Sequence, residues 1–430
     1  MAGEWPVVTL QDVCETITDG AHLSPKDCTG GLPMASVKDM ARWGIDVKSS
    51  RTISHEDFDD LVRNGCQPKI GDVLIAKDGA TCLDTVCEFT QPEKIVLLSS
   101  VAILRPSRRL HSGYLRYYLD CADTRAMLKA GYVSGSAIPR VVLKDFRRAP
   151  IPLPPLAEQK AIAGVLGALD DKIELNRRMN AMLEAMARAL FQSWFVDFDP
   201  VRAKLDGRPP PALDPATAAL FPEHLEDTAL GHTPKGWEVR SLDKTAHYLN
   251  GLALQKYPPG DGPTLAVIKI AQLRKGDSVG ADRCNTDLPA NYIVQDGDVL
   301  FSWSGSLEVE LWCGGPGALN QHLFKVTSPE FPKWFYYLWT LYHLDEFRFI
   351  AADKATTMGH IQRGHLTAAK VLIPPRPLLD AMTRTMSPLI DQLIANRIQS
   401  RTLATLRDTL LPKLLSGELG VDKIKEGLVA

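Results

Sequence analysis

The chain has 430 residues, 45% hydrophobic and 23% charged, with a formal net charge of −2; this is an ordinary globular composition, enough for two to three domains with sizeable cores. It holds no apolar run long enough to span a bilayer, and its first residues, with Glu4 and Pro6, lack the pattern of a signal peptide, so the expected location is the cytoplasm and no membrane partner is expected. The near-neutral balance excludes a globally basic nucleic-acid binder: residues 1–150 carry 19 Lys/Arg against 19 Asp/Glu and residues 237–370 carry 13 against 14, so any phosphate-binding surface is local or is completed by partners.

In chain order, residues 1–150 read as a mixed domain of short strands and turns. Trp5-x-Val7-x-x-Leu10 opens it, Asp19-Gly20, Gly30-Gly31 and Lys77-Asp78-Gly79 mark turns, and Asp72–Ala76 and Val101–Leu104 are strand-like runs. Tyr114 to Lys129 has helical spacing, followed by a Gly/Ser-rich loop from Gly131 to Arg140 with Lys144, Arg147 and Arg148 beyond it. The eight cysteines show neither a Cys-x-x-Cys pair nor a zinc spacing and read as reduced structural thiols without a metal.

Residues 151–200 predict the first long helix. It opens on the prolines at 150, 152, 154 and 155 with Glu158 behind them, the residues tolerated in a helix's first turn. Alternate steps of four and three from Ile162 give Leu166, Leu169, Ile173, Asn176, Asn180, Leu183, Ala187, Leu190 and Trp194, a coiled-coil seam interrupted by asparagines. At about 1.5 Å per residue such a rod is about 60 Å long and needs a partner helix.

Residues 201–236 form a proline-rich connector, packed through Leu220 and Phe221. Residues 237–370 then repeat the first domain: Trp237-x-Val239-x-x-Leu242 answers Trp5-x-Val7-x-x-Leu10, Gly297-Asp298-Val299-Leu300 answers Gly71-Asp72-Val73-Leu74, Phe335–Leu344 is the late helix, and Ile361-Gln362-Arg363 with Leu366 answers Ile138-Pro139-Arg140 with Leu143. Residues 371–420 repeat the long helix, with a seam through Met382, Met386, Leu389, Leu393, Asn396, Ser400, Leu403, Arg407, Leu410 and Leu414, and residues 421–430 are a tail. An asparagine at the equivalent seam position in both rods is a register mark. The chain is an internal duplication.

Four stretches carry a family resemblance: Ile151-Pro-Leu-Pro-Pro-Leu-Ala-Glu-Gln159, Leu169-Asp-Asp-Lys-Ile-Glu-Leu-Asn-Arg177, Leu190-Phe-Gln-Ser-Trp-Phe-Val-Asp-Phe-Asp-Pro-Val201 and Leu410-Leu-Pro-Lys-Leu-Leu-Ser-Gly-Glu-Leu419, with Lys204, Gly231, Pro234, Gly236 and Trp237 in the connector. Over almost its whole length the chain resembles the DNA specificity subunits of type I restriction-modification enzymes. The resemblance implies an α+β fold: two mixed α/β target recognition domains joined by two long helices packed as an antiparallel coiled coil, with a pseudo-twofold duplication. It further implies a bipartite double-stranded DNA target, a coiled-coil ruler, and two methyltransferase subunits, with restriction/translocase subunits where a system has them. The chain itself is then non-catalytic and without cofactors; S-adenosylmethionine, magnesium and ATP belong to partner subunits. Leu169, Ile173, Asn176, Leu183, Leu389, Leu393, Asn396 and Leu403 are the candidate coiled-coil and partner residues.

Candidate base-reading residues are the polar groups at turns. In the first domain these are Lys77, Asp78, Ser99, Ser100, Ser134, Ser136 and Arg140; in the second, Ser302, Trp303, Ser304, Asn320, Gln321, His322, His360, Gln362 and Arg363. Arg and Lys suit guanine edges, Asn and Gln suit adenine, and carboxylates accept from cytosine. Arg105, Arg108 and Arg109, and Lys144, Arg147 and Arg148, are candidate phosphate clusters. No phosphate loop, nucleophile elbow or His-Glu-x-x-His site is present in the sequence. The competing reading is a coiled-coil scaffold or adaptor that binds no DNA.

Overall fold

The computed structural model describes residues 5–135, 139–210, 213–353 and 359–423. Its contacts separate two compact units, one built from the chain up to Glu174 together with the part from Thr402 onward, the other from Leu175 to Arg401. Each unit contains one mixed module and a stretch of both long helices.

In the first unit the module is closed by its own ends, because Val7–Thr9 pairs antiparallel with Pro150–Pro152 and the Leu10 amide donates to the Ala149 carbonyl at 3.0 Å. Prolines 150 and 152 therefore belong to a strand, and the helix begins only at Leu156. A two-stranded edge tolerates residues that lack an N–H, which is why the cluster reads as a helix start yet extends a sheet. The main sheet runs Cys14–Asp19, Val101–Pro106, Val73–Ala76, Val86–Glu88, all antiparallel, and a second sheet joins Arg51–Ile53, Leu32–Ala35 and Val96–Leu97, the last pair parallel. The central strands are apolar without alternation because both faces are covered: Val73, Ile75, Ala102 and Leu104 enter one core and Leu74, Val101 and Ile103 another. The helical stretch after them is broken at Cys121, whose extended backbone separates Ser112–Asp120 from Ala122–Tyr132.

The second unit repeats this topology. Glu238–Ser241 pairs with Lys370–Ile373, and the Leu242 amide donates to Ala369 at 2.9 Å. Its main sheet runs His247–Asn250, Leu323–Thr327, Val299–Ser302, Val309–Leu311, and its second sheet carries the same parallel pairing, here between Thr264–Ile268 and Gly317–Leu319. Gly71 and Gly297 both take a left-handed φ, of +89° and +85°. The aspartates after them both cap the preceding turn, Asp72 at 2.7 Å from the Lys69 amide and Asp298 at 2.7 Å from that of Gln295. The late helix is Lys333–Tyr342, followed after His343 by Leu344–Asp353.

The long helices span Leu156–Phe195 and Arg376–Leu415, each of 40 residues. Pro388 lies inside the second and removes one helical hydrogen bond, but Met386, Ile390 and Leu393 are buried around it and hold the helix. The two pack antiparallel within each unit. In the first, Ile162 and Leu166 share a core with Leu411, Leu414 and Leu415; in the second, Ala187, Phe191 and Trp194 share one with Met382, Met386 and Leu393. Leu169, Ile173, Leu183, Leu389 and Leu403 are only half-buried, whereas Asp170, Asn176, Asn180, Asn396 and Arg407 are buried. The helix packs against its own module as well as its partner, so the buried face departs from a strict heptad; a straight helix drifts about 20° per heptad in any case.

The connector is more ordered than its prolines suggest. Asp199–Leu205 and Pro215–Leu220 are helices, and Leu225–Thr228 forms a hairpin with Gly231–Pro234. Phe221 is buried against Trp194, while Leu220 is exposed. Phe198 holds a left-handed φ of +55°, kept in place by packing against Trp237 at 6.3 Å.

Candidate nucleic-acid interface

Both modules build the same corner. The first main-sheet strand ends at Asp19 or Asn250, and the next residue, Gly20 or Gly251, lies flat on neighbouring backbone: an added Cβ would stand 2.1 Å from the Leu97 oxygen or 2.2 Å from the Asn320 oxygen. Only glycine permits that approach. The chain then bridges in parallel, Ala21 to Leu98 and Leu252 to Asn320. A second turn, Lys77–Gly79 or Trp303–Gly305, is pinned to the segment leading to the long helix. Val141 donates to the Lys77 carbonyl at 2.9 Å and Gly79 to Pro139 at 2.9 Å; Ile361 donates to Trp303 at 3.0 Å and Gly305 to Gly359 at 2.8 Å.

These ladders set the equivalences. Asp78 bridges Arg140 and Ser304 bridges His360, so Arg140 corresponds to His360, and Val141 to Ile361. The sequence match of Arg140 with Arg363 is corrected by this pairing; the short helices, Leu143–Phe146 and Arg363–Ala368, then begin at equivalent places after the ladder.

In the first module Lys77, Asp78, Ser99, Ser100 and Arg140 come together. Lys77 is buried and its Nζ stands 2.9 Å from Asp19 Oδ2, while its amide donates to the Ser100 carbonyl at 2.8 Å. Ser100 Oγ accepts from the Val37 amide at 3.2 Å, and the Ser99 amide donates to Ala21 at 2.9 Å. Arg140 is exposed, with Nε 3.1 Å from Asp78 Oδ1. Ser134 is exposed on the strand facing Arg140; Ser136 lies outside the described residues.

In the second module Trp303, Ser304, Asn320, Gln321, His322 and His360 come together. Trp303 Nε1 donates to Asn250 Oδ1 at 2.8 Å, and its ring lies 5.9 Å from His322 and 6.3 Å from His360. Ser304 Oγ and His322 Nδ1 are 3.0 Å apart, Gln321 Nε2 lies 3.3 Å from His322 Nε2, and the His322 amide donates to Asn320 Oδ1 at 3.2 Å. Ser302 is fully buried with its hydroxyl donating to the Ser306 carbonyl and accepting from the Glu308 amide, a structural arrangement. Gln362 and Arg363 are exposed beside the group, Arg363 stacked over Phe324 at 5.5 Å and donating to the Tyr248 carbonyl at 3.2 Å.

Asp19 and Asn250 were absent from the sequence candidates. Their signal was an Asp-Gly or Asn-Gly pair closing a strand, and it marks a turn far more often than a site. The basic clusters are partly structural: Arg105 is tied bidentately to buried Asp72 at 2.8 and 2.7 Å, and Arg147 donates to the Ile17 carbonyl at 2.9 Å.

Residues 2–185 match the family described as the type I restriction modification DNA specificity domain. The type I restriction enzyme MjaIX specificity subunit of Methanocaldococcus jannaschii is 27% identical over 444 aligned positions, which cover 98% of this chain and 95% of the relative. Over residues 2–185 by the family model, and over nearly its whole length by this relative, the chain is similar to type I restriction-modification specificity subunits. The HindI specificity subunit of Haemophilus influenzae is 23% identical over 327 positions, 65% of this chain and 71% of that one. The crystal structure of the type I restriction-modification S subunit from M. genitalium shares the fold, with a TM-score of 0.55 at 14% identity over 95% of this chain and 96% of that one. Both relatives are named as specificity subunits of type I restriction enzymes.

Proposed function

We propose that this specificity subunit reads a bipartite double-stranded DNA target in the cytoplasm. Residues 1–150 and 237–370 are its recognition domains, each taking one half-site. The long helices, within 151–200 and 371–420, set the spacing and recruit two methyltransferase subunits, with restriction/translocase subunits where the system has them; 201–236 connects the halves and 421–430 is a tail. S-adenosylmethionine, magnesium and ATP are bound by the partners.

The observation that carries this reading is the corner built twice on one backbone plan with different side chains: Lys77, Asp78 and Arg140 at the places where Trp303, Ser304 and His360 stand. A single plan with exchanged polar groups is what two readers of unlike half-sites require, since specificity resides in base-edge contacts and not in the scaffold. Near-neutral modules agree with a complex in which partners supply part of the phosphate clamp. A rigid helical pair suits modules that must engage grooves about one helical turn, about 34–36 Å, apart.

The test is a band-shift series on random duplexes with and without the cognate methyltransferase subunit. Sequence-selective binding with the partner present is the expected result. Its absence refutes DNA reading and leaves the scaffold reading standing.

A further inference from the structure

We propose that the two modules read by different chemistry and that Arg140, aimed by Asp78, is the guanine reader of the first half-site; this rests on the DNA-reading function proposed above. Of the two cations at the first corner, only Arg140 is available. Lys77 has 5% of its side chain exposed and its ammonium is held by Asp19 at 2.9 Å, with Asp78 at 3.5 Å, so its charge is cancelled inside the corner. Arg140 has 62% of its side chain exposed. It is tethered through Nε alone, at 3.1 Å from Asp78 Oδ1, and its two Nη groups have no other hydrogen bond among the described residues. Asp78 is itself fixed, 15% exposed and on the strand bridge to Arg140. A guanidinium oriented from behind by a carboxylate presents a planar pair of donors, the geometry that matches O6 and N7 of guanine and that a lysine cannot reproduce.

Among the described residues the second module has no such group at the same place. His360 stands where Arg140 stands, Ser304 replaces Asp78, and the Lys77–Asp19 ion pair becomes the neutral Trp303–Asn250 hydrogen bond. The nearby cation, Arg363, is engaged with Phe324 and the Tyr248 carbonyl. Readout there falls to amides and imidazoles, with Gln321 suited to adenine.

Methylation motifs mapped by sequencing test this, in host cells carrying the full-length subunit with its methyltransferase partner. Wild type, Arg140→Gln, Arg140→Lys, Asp78→Asn and Gln321→Ala are compared. Arg140→Gln and Arg140→Lys are expected to relax one fixed G·C pair in one half-site, losing roughly ten- to a hundredfold in discrimination at that pair. Asp78→Asn weakens selection at the same pair, and Gln321→Ala alters only the other half-site. The half-site still read correctly in each variant reports that the subunit has folded and assembled. An unchanged motif in Arg140→Gln, a relaxed pair that is not G·C, or full selectivity retained by Arg140→Lys overturns the assignment. A wild-type complex that yields no bipartite motif overturns the DNA-reading function instead.

Discussion

Asp170 shows how much a single residue within a family motif depends on distant chain. It is 2% exposed, and its carboxylate takes Arg116 at 2.8 Å, the Tyr117 hydroxyl at 2.8 Å and Arg407 at 2.7 Å, with Arg42 at 3.5 Å. Burial favours the neutral acid, yet the guanidinium groups of Arg42, Arg116 and Arg407 outweigh it and hold the carboxyl below its ordinary value. Its neighbour Asp120 moves the other way, pushed up by burial in spite of Arg42, Arg116 and Arg125. Asp170 therefore binds its proton less tightly when folded. The stability it contributes is complete above the ordinary carboxylate range and is lost as the pH falls through its lowered folded value, while Asp120 contributes with the opposite sign. Asp170→Asn leaves buried arginines without a counter-charge and is expected to cost about 3–5 kcal/mol near neutral pH. In urea unfolding repeated from about pH 7 to about pH 3, the gap to wild type should narrow on acidification; a gap of constant width would show that the ion pairs are not its source. Asp171→Asn, on the exposed side, serves as the control and should change stability by less than about 0.5 kcal/mol. The motif around Asp170 was legible, but its role was not, because Arg116 is 54 residues away and Arg407 is 237 away.

At the scale of elements, periodicity found both long helices and the asparagines between them, since a repeat of apolar positions is a property of local sequence. It did not find the strand at Pro150–Pro152, where pairing with Val7–Thr9 overrides what the prolines suggest locally. The asparagines are the clearest test of the helix pair. Asn396 Nδ2 donates to Asn180 Oδ1 at 3.0 Å, Asn180 Nδ2 reaches the Leu393 carbonyl at 3.4 Å, and Asn176 Nδ2 donates to Gln399 Oε1 at 2.9 Å. Replacing one member of the Asn180–Asn396 pair strands a buried polar group, so Asn180→Leu and Asn396→Leu should each destabilise by about 1–3 kcal/mol. The double substitution should cost less than their sum, because two apolar partners leave nothing unsatisfied. Strict additivity in a double-mutant cycle would mean that the pair does not couple the helices. If the asparagines also set register, the double variant should lose sharpness of assembly with methyltransferase while keeping stability.

At the scale of the whole molecule the duplication was legible in the strand openings, in the Gly-Asp strand starts and in the paired rods, and each repeats at the same topological place in both units. The register of the corner was not, because Arg140 and His360 are unlike residues matched only by ladder bonds to Asp78 and Ser304. What the duplication does for function turns on the helix pair as a spacer. Removing one turn from both helices, Asp171–Glu174 from the first and Thr402–Thr405 from the second, shortens each by about 6 Å. A four-residue change in a coiled coil is absorbed by local rewinding, so the pair can still close. At about 3.4 Å per base pair, 6 Å is about two base pairs. The methylation motif of the shortened subunit should then keep both half-site sequences and lose about two base pairs from the gap between them. Shortening only one helix breaks the pairing of the two and should abolish methylation. An unchanged gap in the doubly shortened subunit would place the spacing in the partner subunits and remove the ruler from this chain, whereas altered half-sites would show that the helices also orient the reading corners.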